Sequence, residues 1–432
     1  MIRIFIFFLI SLILINCSLN ENSKIWNKKK KNKVNKNIEI IFDKKKISYK
    51  ELNPNINLNL SKLNIKNNIF DEKNNFGMQN YSGKLKKVKN FKFSKFNNEN
   101  ESDLTPLFLK YGIVFFDNKG SVIRFDDNQK IIWKKNYYSK FEKKNNPKLS
   151  FALSDKKLVV IDNLSNLFLI NLETGDLIWR NKNDYPFNSE IKIFNDKFFA
   201  IDIKNVLRCY FIRDGSECWN VETEKTLTIT SSKNSLLIGD KIVYFINNVG
   251  DLTAVDIFSG DLVWQLPTQS SDIISITHNF KNSRLVSDSK SIFFSNNKNE
   301  FYSIDLKNGS INWINEISSS VTPILIDNLI ITISDNGYLF VVDKEKGNIV
   351  KIKEIYKIYK DKKRKKKIKP IGFSISQDKI YISGNDGKLI ILELKTGNVI
   401  NVEKIARNIM SKPFLYNNHL FIIKNGAVIQ YK

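Results

Sequence analysis

Residue types that usually carry catalysis or bind metal ions are few in this chain and lie far apart. Of its two histidines, His278 and His419, neither has a carboxylate or a cysteine at the spacing that a metal site needs. The chain also contains no nucleophile elbow, phosphate-binding loop or zinc-protease helix motif. We therefore expect no catalytic residue, no cofactor and no metal ion, and we interpret both histidines as turn or surface residues.

Two cysteines lie close enough in sequence to react with each other. Cys209 and Cys218 are nine residues apart. If they lie on the two strands of a hairpin they can face each other and form a disulfide, which persists in exported proteins. Cysteine also packs well as a small apolar residue. The alternative, which this packing behaviour favours, is two separate buried thiols.

The third cysteine, Cys17, ends an apolar N-terminal segment. The run Ile4–Ile15 is too short to span a bilayer as a stable helix, but it suits the core of an export signal. Leu14 is similar to the residue at that place in bacterial lipoprotein signals, whereas Asn16 departs from their usual small residue. We predict a signal over residues 1–17 with lipidation at Cys17, and the alternative is a plain secretory signal. Both remove the protein from the cytoplasm.

Positive charge dominates the composition. The 432 residues include 69 Lys and Arg against 44 Asp and Glu, which leaves a formal charge of +25. A basic segment, Tyr356–Pro370, could contact anionic lipid or an acidic protein patch. The alternative, which the general Lys, Asn and Ile bias of the chain favours, is a solvated insertion. Export makes nucleic acid an unsuitable partner.

Residues 18–80 are rich in Asn and Lys and show no sustained periodicity. Such a composition predicts a flexible tether between a membrane anchor and a folded domain at residues 81–432. Two apolar stretches within the tether, IEIIF at 38–42 and LNLSKLNI at 58–65, are candidates to add a strand or to dock on that domain.

The folded domain is built from a repeated pattern, a glycine turn followed four residues later by tryptophan. The glycines, which are 38 to 50 residues apart, are Gly175, Gly215, Gly260, Gly309, Gly347 and Gly397, and Gln129 takes the same place upstream. The residues four positions later are Trp133, Trp179, Trp219, Trp264 and Trp313, followed by Lys351 and Asn401. Five of the six tryptophans therefore share one repeat position.

Each repeat unit predicts four antiparallel strands. In the stretch 240–264, DKIVYFINNVGDLTAVDIFSGDLVW, alternating apolar runs are separated by polar turn residues. A lone meander of this size leaves a face unburied, so copies must stack radially into an all-β, eight-bladed propeller. Seven units run from Leu104 to about Ile405. Ser411–Lys432 supplies only three strands, and we expect Lys84–Phe93 to complete that blade and close the ring.

The repeated residues then have structural roles. Glycine permits the positive φ of a tight turn between the third and fourth strands. Tryptophan can lie across the neighbouring blade and add apolar contact at each interface. We interpret the motif as contact between blades and not as an active site.

The motif resembles the tryptophan-docking repeat A-x-D-x-x-T-G-x-x-x-W of quinoprotein-like, eight-bladed propellers. Ala254–Trp264, AVDIFSGDLVW, matches it with Ser259 in place of Thr. That resemblance includes quinone-dependent dehydrogenases, which typically carry adjacent cysteines over the cofactor and aspartates for calcium. This chain has no adjacent cysteines and no aspartate cluster assignable to calcium. The dehydrogenase reading is therefore disfavoured.

The export signal, Cys17 and the single propeller are similar to the BamB family of outer-membrane assembly lipoproteins. Asn74–Phe93 is similar to the stretch before the first blade in alphaproteobacterial members, with Phe76 where Trp is usual. The resemblance implies a non-catalytic scaffold on the periplasmic face of the outer membrane. It implies docking on the POTRA domains of a BamA-like barrel protein, alongside other assembly lipoproteins. A periplasmic propeller that binds a polysaccharide or another envelope ligand is the alternative.

Overall fold

The repeats fold into four-stranded antiparallel meanders in a computed structural model that describes residues 49–60, 65–66, 73–94, 104–224, 233–268, 281–407 and 410–432. Numbered along the chain, the strands are β1 (Ile65–Lys66), β2 (Met78–Gln79), β3 (Lys87–Lys92), β4 (Leu107–Leu109), β5 (Gly112–Phe116), β6 (Val122–Phe125), β7 (Ile131–Lys135), β8 (Leu149–Ser154), β9 (Lys157–Asp162), β10 (Asn166–Asn171), β11 (Leu177–Lys182), β12 (Lys192–Phe194), β13 (Lys197–Ile201), β14 (Val206–Phe211), β15 (Glu217–Glu222), β16 (Ser235–Gly239) and β17 (Ile242–Ile246). The second half of the chain contributes β18 (Asp251–Asp256), β19 (Leu262–Pro267), β20 (Val286–Ser287), β21 (Ser291–Ser295), β22 (Phe301–Asp305), β23 (Ile311–Asn315), β24 (Ile324–Ile326), β25 (Leu329–Ile333), β26 (Tyr338–Asp343), β27 (Ile349–Glu354), β28 (Pro370–Ser376), β29 (Lys379–Gly384), β30 (Lys388–Glu393), β31 (Val399–Lys404), β32 (Phe414–Tyr416), β33 (His419–Lys424) and β34 (Ala427–Tyr431).

Consecutive groups of four strands form the blades, as the repeat predicts. Blades 1 to 7 begin at β4, β8, β12, β16, β20, β24 and β28, and blade 8 combines β32, β33 and β34 with β3. In blade 7 the inner strand β28 is extended toward the channel by the two short parallel strands β2 and β1. The eight-bladed propeller predicted from the sequence is confirmed.

Blade 8 joins the two halves of the chain, because its outer strand comes from upstream of blade 1. β3 pairs antiparallel with β34, with Phe91 opposite Val428 and Lys92 opposite Ala427. The backbones of Lys86 and Lys432 exchange two further hydrogen bonds of 2.9 and 2.8 Å. The strand predicted from Lys84–Phe93 therefore closes the ring, and β34 has a partner on each side.

Burial follows the stacking of the blades. The two middle strands of a blade are covered on both faces, so β9 and β10 are buried at nearly every position and their sequences are continuous apolar runs. The outer strands are more exposed, and β11 is exposed at four of its six positions. Blades 1 to 7 also share a β-bulge between their third and fourth strands, at the residue before the tryptophan position.

Connections between strands alternate between the two ends of the propeller, as they must in an antiparallel meander. The turns from the second to the third strand share one end with the links between blades, which we call the linker face. Two short helices lie in these links, α1 (Lys140–Lys144) between blades 1 and 2 and α2 (Lys362–Lys365) between blades 6 and 7, where a 3₁₀ turn (Ile355–Ile358) precedes α2. Among the residues described, no helix is long and apolar enough to cross a bilayer.

Parts of the range predicted as a tether pack on the propeller. Leu52 pairs with Ile352 on the outer strand β27, and Leu58 is buried and donates its backbone N–H to Lys395 O at 2.9 Å. Residues 73–80 enter the central channel. Residues 49–58 and 73–80 therefore belong to the folded body, because their backbone N–H and C=O groups form hydrogen bonds with the propeller. The signal at 1–17, the stretch 38–42 and most of the tether lie outside the described residues, so the predictions made for them stay predictions.

Candidate functional site

Each tryptophan of the repeat lies against the glycine turn of the next blade. A Cβ atom on Gly175 would come within 2.7 Å of the Trp133 ring, so only glycine leaves room for the indole. Gly175 also has a φ of +73°, in the left-handed region that glycine tolerates best. The same contact joins Trp179 to Gly215, Trp219 to Gly260, Trp264 to Gly309 and Trp313 to Gly347.

The indole N–H adds a hydrogen bond across the interface. Trp133 Nε1 donates to Leu172 O at 2.9 Å, and Leu172 lies three residues before the glycine of its turn. Trp179, Trp264 and Trp313 donate to the equivalent carbonyls of Ile212, Leu306 and Lys344 at 2.9, 3.2 and 3.1 Å. Trp219 Nε1 is buried and has no acceptor among the described residues. The five tryptophans thus connect blades 1 to 6.

Lys351 occupies the tryptophan position in blade 6, where its side chain also binds the N-terminal segment. The Lys351 side chain is buried, and Nζ donates to Thr396 O in the next blade and to Ile56 O, both at 2.7 Å. Gly397 is covered by Leu339 and by the stems of Lys353 and Lys351 instead of an indole. An indole has one donor and cannot join both carbonyls, whereas an ammonium group has three.

Replacing Lys351 with methionine is expected to lower the free energy of unfolding by about 1–3 kcal/mol, because a charged hydrogen-bond donor is lost while the stem volume is kept. The segment 49–58 should also become more sensitive to limited proteolysis. Thermal melting and proteolysis of the full chain measure both effects. Lys395→Met, at an exposed lysine of the neighbouring turn, is the control. Equal digestion of both variants and wild type would contradict the role of Lys351.

The remaining repeat positions reflect the closure of the ring. Asn401, on the outer strand of blade 7, is exposed and donates to Glu403 Oε1 at 3.0 Å. The next blade, blade 8, offers no glycine turn at the equivalent place, because its strands β34 and β3 come from distant parts of the chain. Gln129 has a φ of +69° in the turn of blade 1, and its Oε1 accepts the N–H of Asn90 from β3 at 2.8 Å.

Cys209 and Cys218 form a disulfide between β14 and β15, with 5.3 Å between their Cα atoms. The alternative that the packing of cysteine favoured, two separate thiols, is therefore wrong. The bulge shared by the blades brings the two cysteines together. Trp219 lies opposite Cys209, and Glu217 lies opposite Tyr210. Cys218 is therefore the extra residue and lies beside Cys209.

Other residues singled out in the sequence lie apart from one another. His419 is the first residue of β33, and its Nδ1 lies 2.7 Å from Asn417 O in the preceding turn. His278 and Cys17 lie outside the described residues. The basic segment is folded onto the linker face, because Tyr359 donates to Asp386 Oδ2 at 3.0 Å, while its lysines from Lys360 to Lys363 are exposed. In the described ranges, no group of three or more His, Cys, Asp and Glu could hold a metal ion.

A ring of side chains at the mouth of the inner strands was not predicted. Each blade has an equivalent residue at this mouth, which lies seven positions before the first residue of the second strand of the blade. By blade, these residues are Thr105, Ser150, Glu190, Ser235, Arg284, Thr322, Gly372 and Lys412. Charged residues therefore occur on blades 3, 5 and 8, and they are separated by 94 and 128 residues in sequence.

Asn74 from the N-terminal segment fills one side of this ring. Its side chain is 1% exposed, and Nδ2 lies 2.8 Å from Leu236 O, 3.0 Å from Leu285 O and 3.2 Å from Glu190 Oε1. Lys192 donates to Asn74 Oδ1. The φ of Asn74 is +54°, a conformation that asparagine accepts more readily than most residues. Asn74 thereby joins the inner strands of blades 3, 4 and 5.

Glu190 is the acidic member of the ring, and it is held ionised. Arg284 Nη1 lies 3.1 Å from Glu190 Oε2, and the Leu236 N–H lies 3.3 Å from Oε1. Burial raises the pKa of Glu190, but the charges of Lys192 and Arg284 and these hydrogen bonds outweigh that effect and place the pKa below its usual value. The negative charge of Glu190 is thus matched within the channel.

A family sequence profile described as "Outer membrane protein assembly factor BamB" matches residues 118–353, which is more than half of the chain. The chain belongs to the BamB family. No curated protein sequence matches the chain. The match spans the part of the BamB-like propeller from blade 1 to blade 6, which includes all five repeat tryptophans.

Solved structures share the fold of this BamB family member at low sequence identity. BamB from Moraxella catarrhalis is 17% identical, with a TM-score of 0.64 over 81% of this chain and 99% of that one. A europium-containing methanol dehydrogenase is 10% identical, with a TM-score of 0.61 over 80% and 86% of the two chains. The quinohemoprotein alcohol dehydrogenase ADHIIG from Pseudomonas putida HK5 is 12% identical, with a TM-score of 0.55 over 80% and 75%. At these identities the likeness shows the fold alone.

Proposed function

We propose that the protein is a non-catalytic scaffold of the outer-membrane β-barrel assembly machinery, anchored through lipidated Cys17 to the periplasmic face of the outer membrane. It docks on POTRA domains of a BamA-like barrel protein and aids insertion of outer-membrane proteins. The observation that supports this proposal is the family match over residues 118–353. A crosslinked, detergent-solubilised pulldown tests it, and it should recover a POTRA-containing barrel protein. Failure to recover one would count against it.

We infer that docking uses the linker face near α1, because an aromatic side chain is presented there on a fixed element. Phe141 is 76% exposed on this helix. The helix is held by a capping box between Ser139 and Glu142, and Arg180 of blade 2 pairs with the Glu142 carboxylate. Burial raises the pKa of Glu142, but the hydrogen bonds from Ser139 and the Arg180 charge outweigh it and lower the pKa. The exposed ring therefore has a rigid support, as interface anchors often do.

Replacing Phe141 with alanine is expected to reduce partner capture about tenfold or more, because a buried aromatic anchor typically contributes over 1 kcal/mol to an interface. The pulldown, titrated with increasing bait, measures the change. Tyr111 is the matched control, since it is 64% exposed in the turn between β4 and β5, at the opposite end of blade 1. Loss of capture with Tyr111→Ala and not with Phe141→Ala would move the docking face to the other end of the propeller.

A further inference from the structure

The central channel contains a cavity of about 720 Å³ to which every blade contributes. Its wall includes ring residues Ser150, Glu190, Arg284 and Lys412, and the N-terminal segment lines one side with Asn74 and Phe76. Cavities that hold small organic ligands have volumes of roughly 300–1,000 Å³. The channel is therefore large enough for a ligand even with the N-terminal segment in place.

Charge in this cavity is strongly one-sided. Among its described lining residues, the cationic side chains are Lys192, Lys233, Arg284 and Lys412, and the acidic one is Glu190. Glu190 is already paired with Arg284 and accepts hydrogen bonds from Asn74 and Leu236. Lys192 donates to Asn74 Oδ1, and Lys233 donates to Ser150 Oγ at 2.7 Å. Four cationic side chains and one acidic side chain therefore line the described part of this cavity.

Lys412 carries the clearest excess charge. It forms no hydrogen bond or ion pair through Nζ with any described residue, and Nζ lies 5.0 Å from the ring centre of Phe76 and 5.4 Å from that of Phe414. Burial and the nearby Arg284 charge lower the pKa of Lys412 to about 7, although Glu190 acts in the opposite direction. Gly372 of blade 7 packs against the Lys412 stem, because a Cβ atom on it would come within 2.6 Å of Lys412 Cβ. An anion in the cavity beside Nζ would supply the missing partner.

We propose that the channel cavity binds a small organic anion, whose carboxylate or phosphate group lies between Lys412 and Arg284 and whose apolar part packs on Phe76 and Phe414. Three features support this assignment together: the cavity, the excess of cationic over acidic side chains, and the lysine without a polar partner. An anion in a desolvated, cationic site gains charge-assisted hydrogen bonds that bulk water would weaken.

Isothermal titration of the full chain in detergent at low ionic strength tests the proposal, with citrate and pyrophosphate as separate probes and glycerol as the neutral control. At least one anion should bind with a dissociation constant below about 1 mM, which corresponds to about 4 kcal/mol. Binding of citrate alone assigns a carboxylate ligand, and binding of pyrophosphate alone assigns a phosphate ligand. Absence of binding by both anions would overturn the proposal.

Variants at the lysine make the test specific. Lys412→Met should weaken anion binding at least about tenfold, while Lys157→Met, at an exposed lysine of β9, should leave it unchanged. Arg284→Gln is a second variant for the case in which Lys412→Met does not fold, and it should also weaken binding. Binding that is equal in wild type and in a folded variant at either position would overturn the proposal.

The pH dependence separates the charge of Lys412 from its shape. In the wild type, affinity should fall as the pH rises from 6 to 8.5, because Lys412 loses its proton near pH 7 and the protonated form attracts the anion. The other charged groups facing the site are Arg284, Glu190, Lys192 and Lys233. Lys412→Arg should lack this fall, since guanidinium stays charged, and any change that comes from ionisation of the anion itself is common to both proteins. An equally pH-dependent affinity in Lys412→Arg would contradict the role of Lys412.

Discussion

Replacing Trp133 with alanine is expected to lower the free energy of unfolding by about 3–5 kcal/mol, the range measured for large aromatic side chains in protein cores. The Trp133 side chain is 7% exposed and lies across the interface between blades 1 and 2. Its loss opens a cavity over Gly175 and leaves Leu172 O without the indole donor. Urea unfolding of the full chain measures the change. The unfolding is monitored by far-UV circular dichroism, which does not rely on tryptophan fluorescence.

Neighbouring residues provide the controls for this experiment. Ile132 precedes Trp133 on β7 and is 47% exposed, so Ile132→Ala should cost less than about 1 kcal/mol. Phenylalanine substitutions separate the ring from its N–H group. Trp133→Phe loses a hydrogen bond, whereas Trp219→Phe loses none that the structure describes, and the first should therefore cost about 1 kcal/mol more. Equal stability of Trp133→Ala and wild type would refute the role of the tryptophan in blade contact.

Replacing Asn74 with aspartate is expected to cost about 2–5 kcal/mol at pH 7, because a carboxylate oxygen would face Leu236 O, Leu285 O and Glu190 in a buried place. The substitution barely changes the size of the side chain or its backbone preference, since aspartate, like asparagine, also accepts positive φ. Lys192 would attract the new charge and sets the lower end of this range. The midpoint of urea unfolding reports the loss.

The pH dependence of that loss identifies its cause. Because the carboxyl group introduced at position 74 would face hydrogen-bond acceptors, its pKa in the folded state should lie above its unfolded value of about 3.9. Its penalty then grows as the pH rises above that unfolded value, and the difference from wild type should be smaller at pH 4 than at pH 7. Asn80→Asp is the matched control, because Asn80 lies in the same segment and is exposed. Similar losses in both variants would show that charge on the segment, and not burial at Asn74, is responsible.

The repeated elements were predictable from the sequence because their interactions are local or recur. Alternation identified the strands, and Gly175 and Trp133 marked a turn and an interface that recur along the chain. The closing strand was predictable because blade 8 lacked one strand and 84–93 offered an alternating run, of which Lys87–Lys92 is observed as a strand.

The N-terminal segments were not predictable in this way. Residues 49–58 and 73–80 have no periodicity, since their contacts follow no repeat and their partners on the propeller lie more than 100 residues away in sequence. Leu52 pairs with Ile352, and the Leu325 N–H binds Asn75 Oδ1. Their composition is that of a flexible chain, and the strand edges they cover exist only after the propeller has formed.

The channel residues carry a signal in the sequence that the tryptophan repeat does not reveal. Glu190, Arg284 and Lys412 stand at one position of the repeat, just before the inner strand, where Thr105 and Thr322 precede proline. Comparing that position among the units would have separated three charged residues from small polar ones. A comparison of the repeats cannot reveal that Glu190 pairs with Arg284 across an intervening blade, because this ion pair depends on how the blades are arranged around the ring.

Since β34 lies between β33 and β3, a strand at the far end of the propeller sequence holds the strand that precedes blade 1. Closure of the ring must therefore wait until β34 has been synthesised. A nonsense mutation that removed residues 427–432 would delete β34 and release β3 at the same time. Seven blades would remain in the sequence, yet the truncated protein would present two unpaired edges to proteases and to other copies of itself.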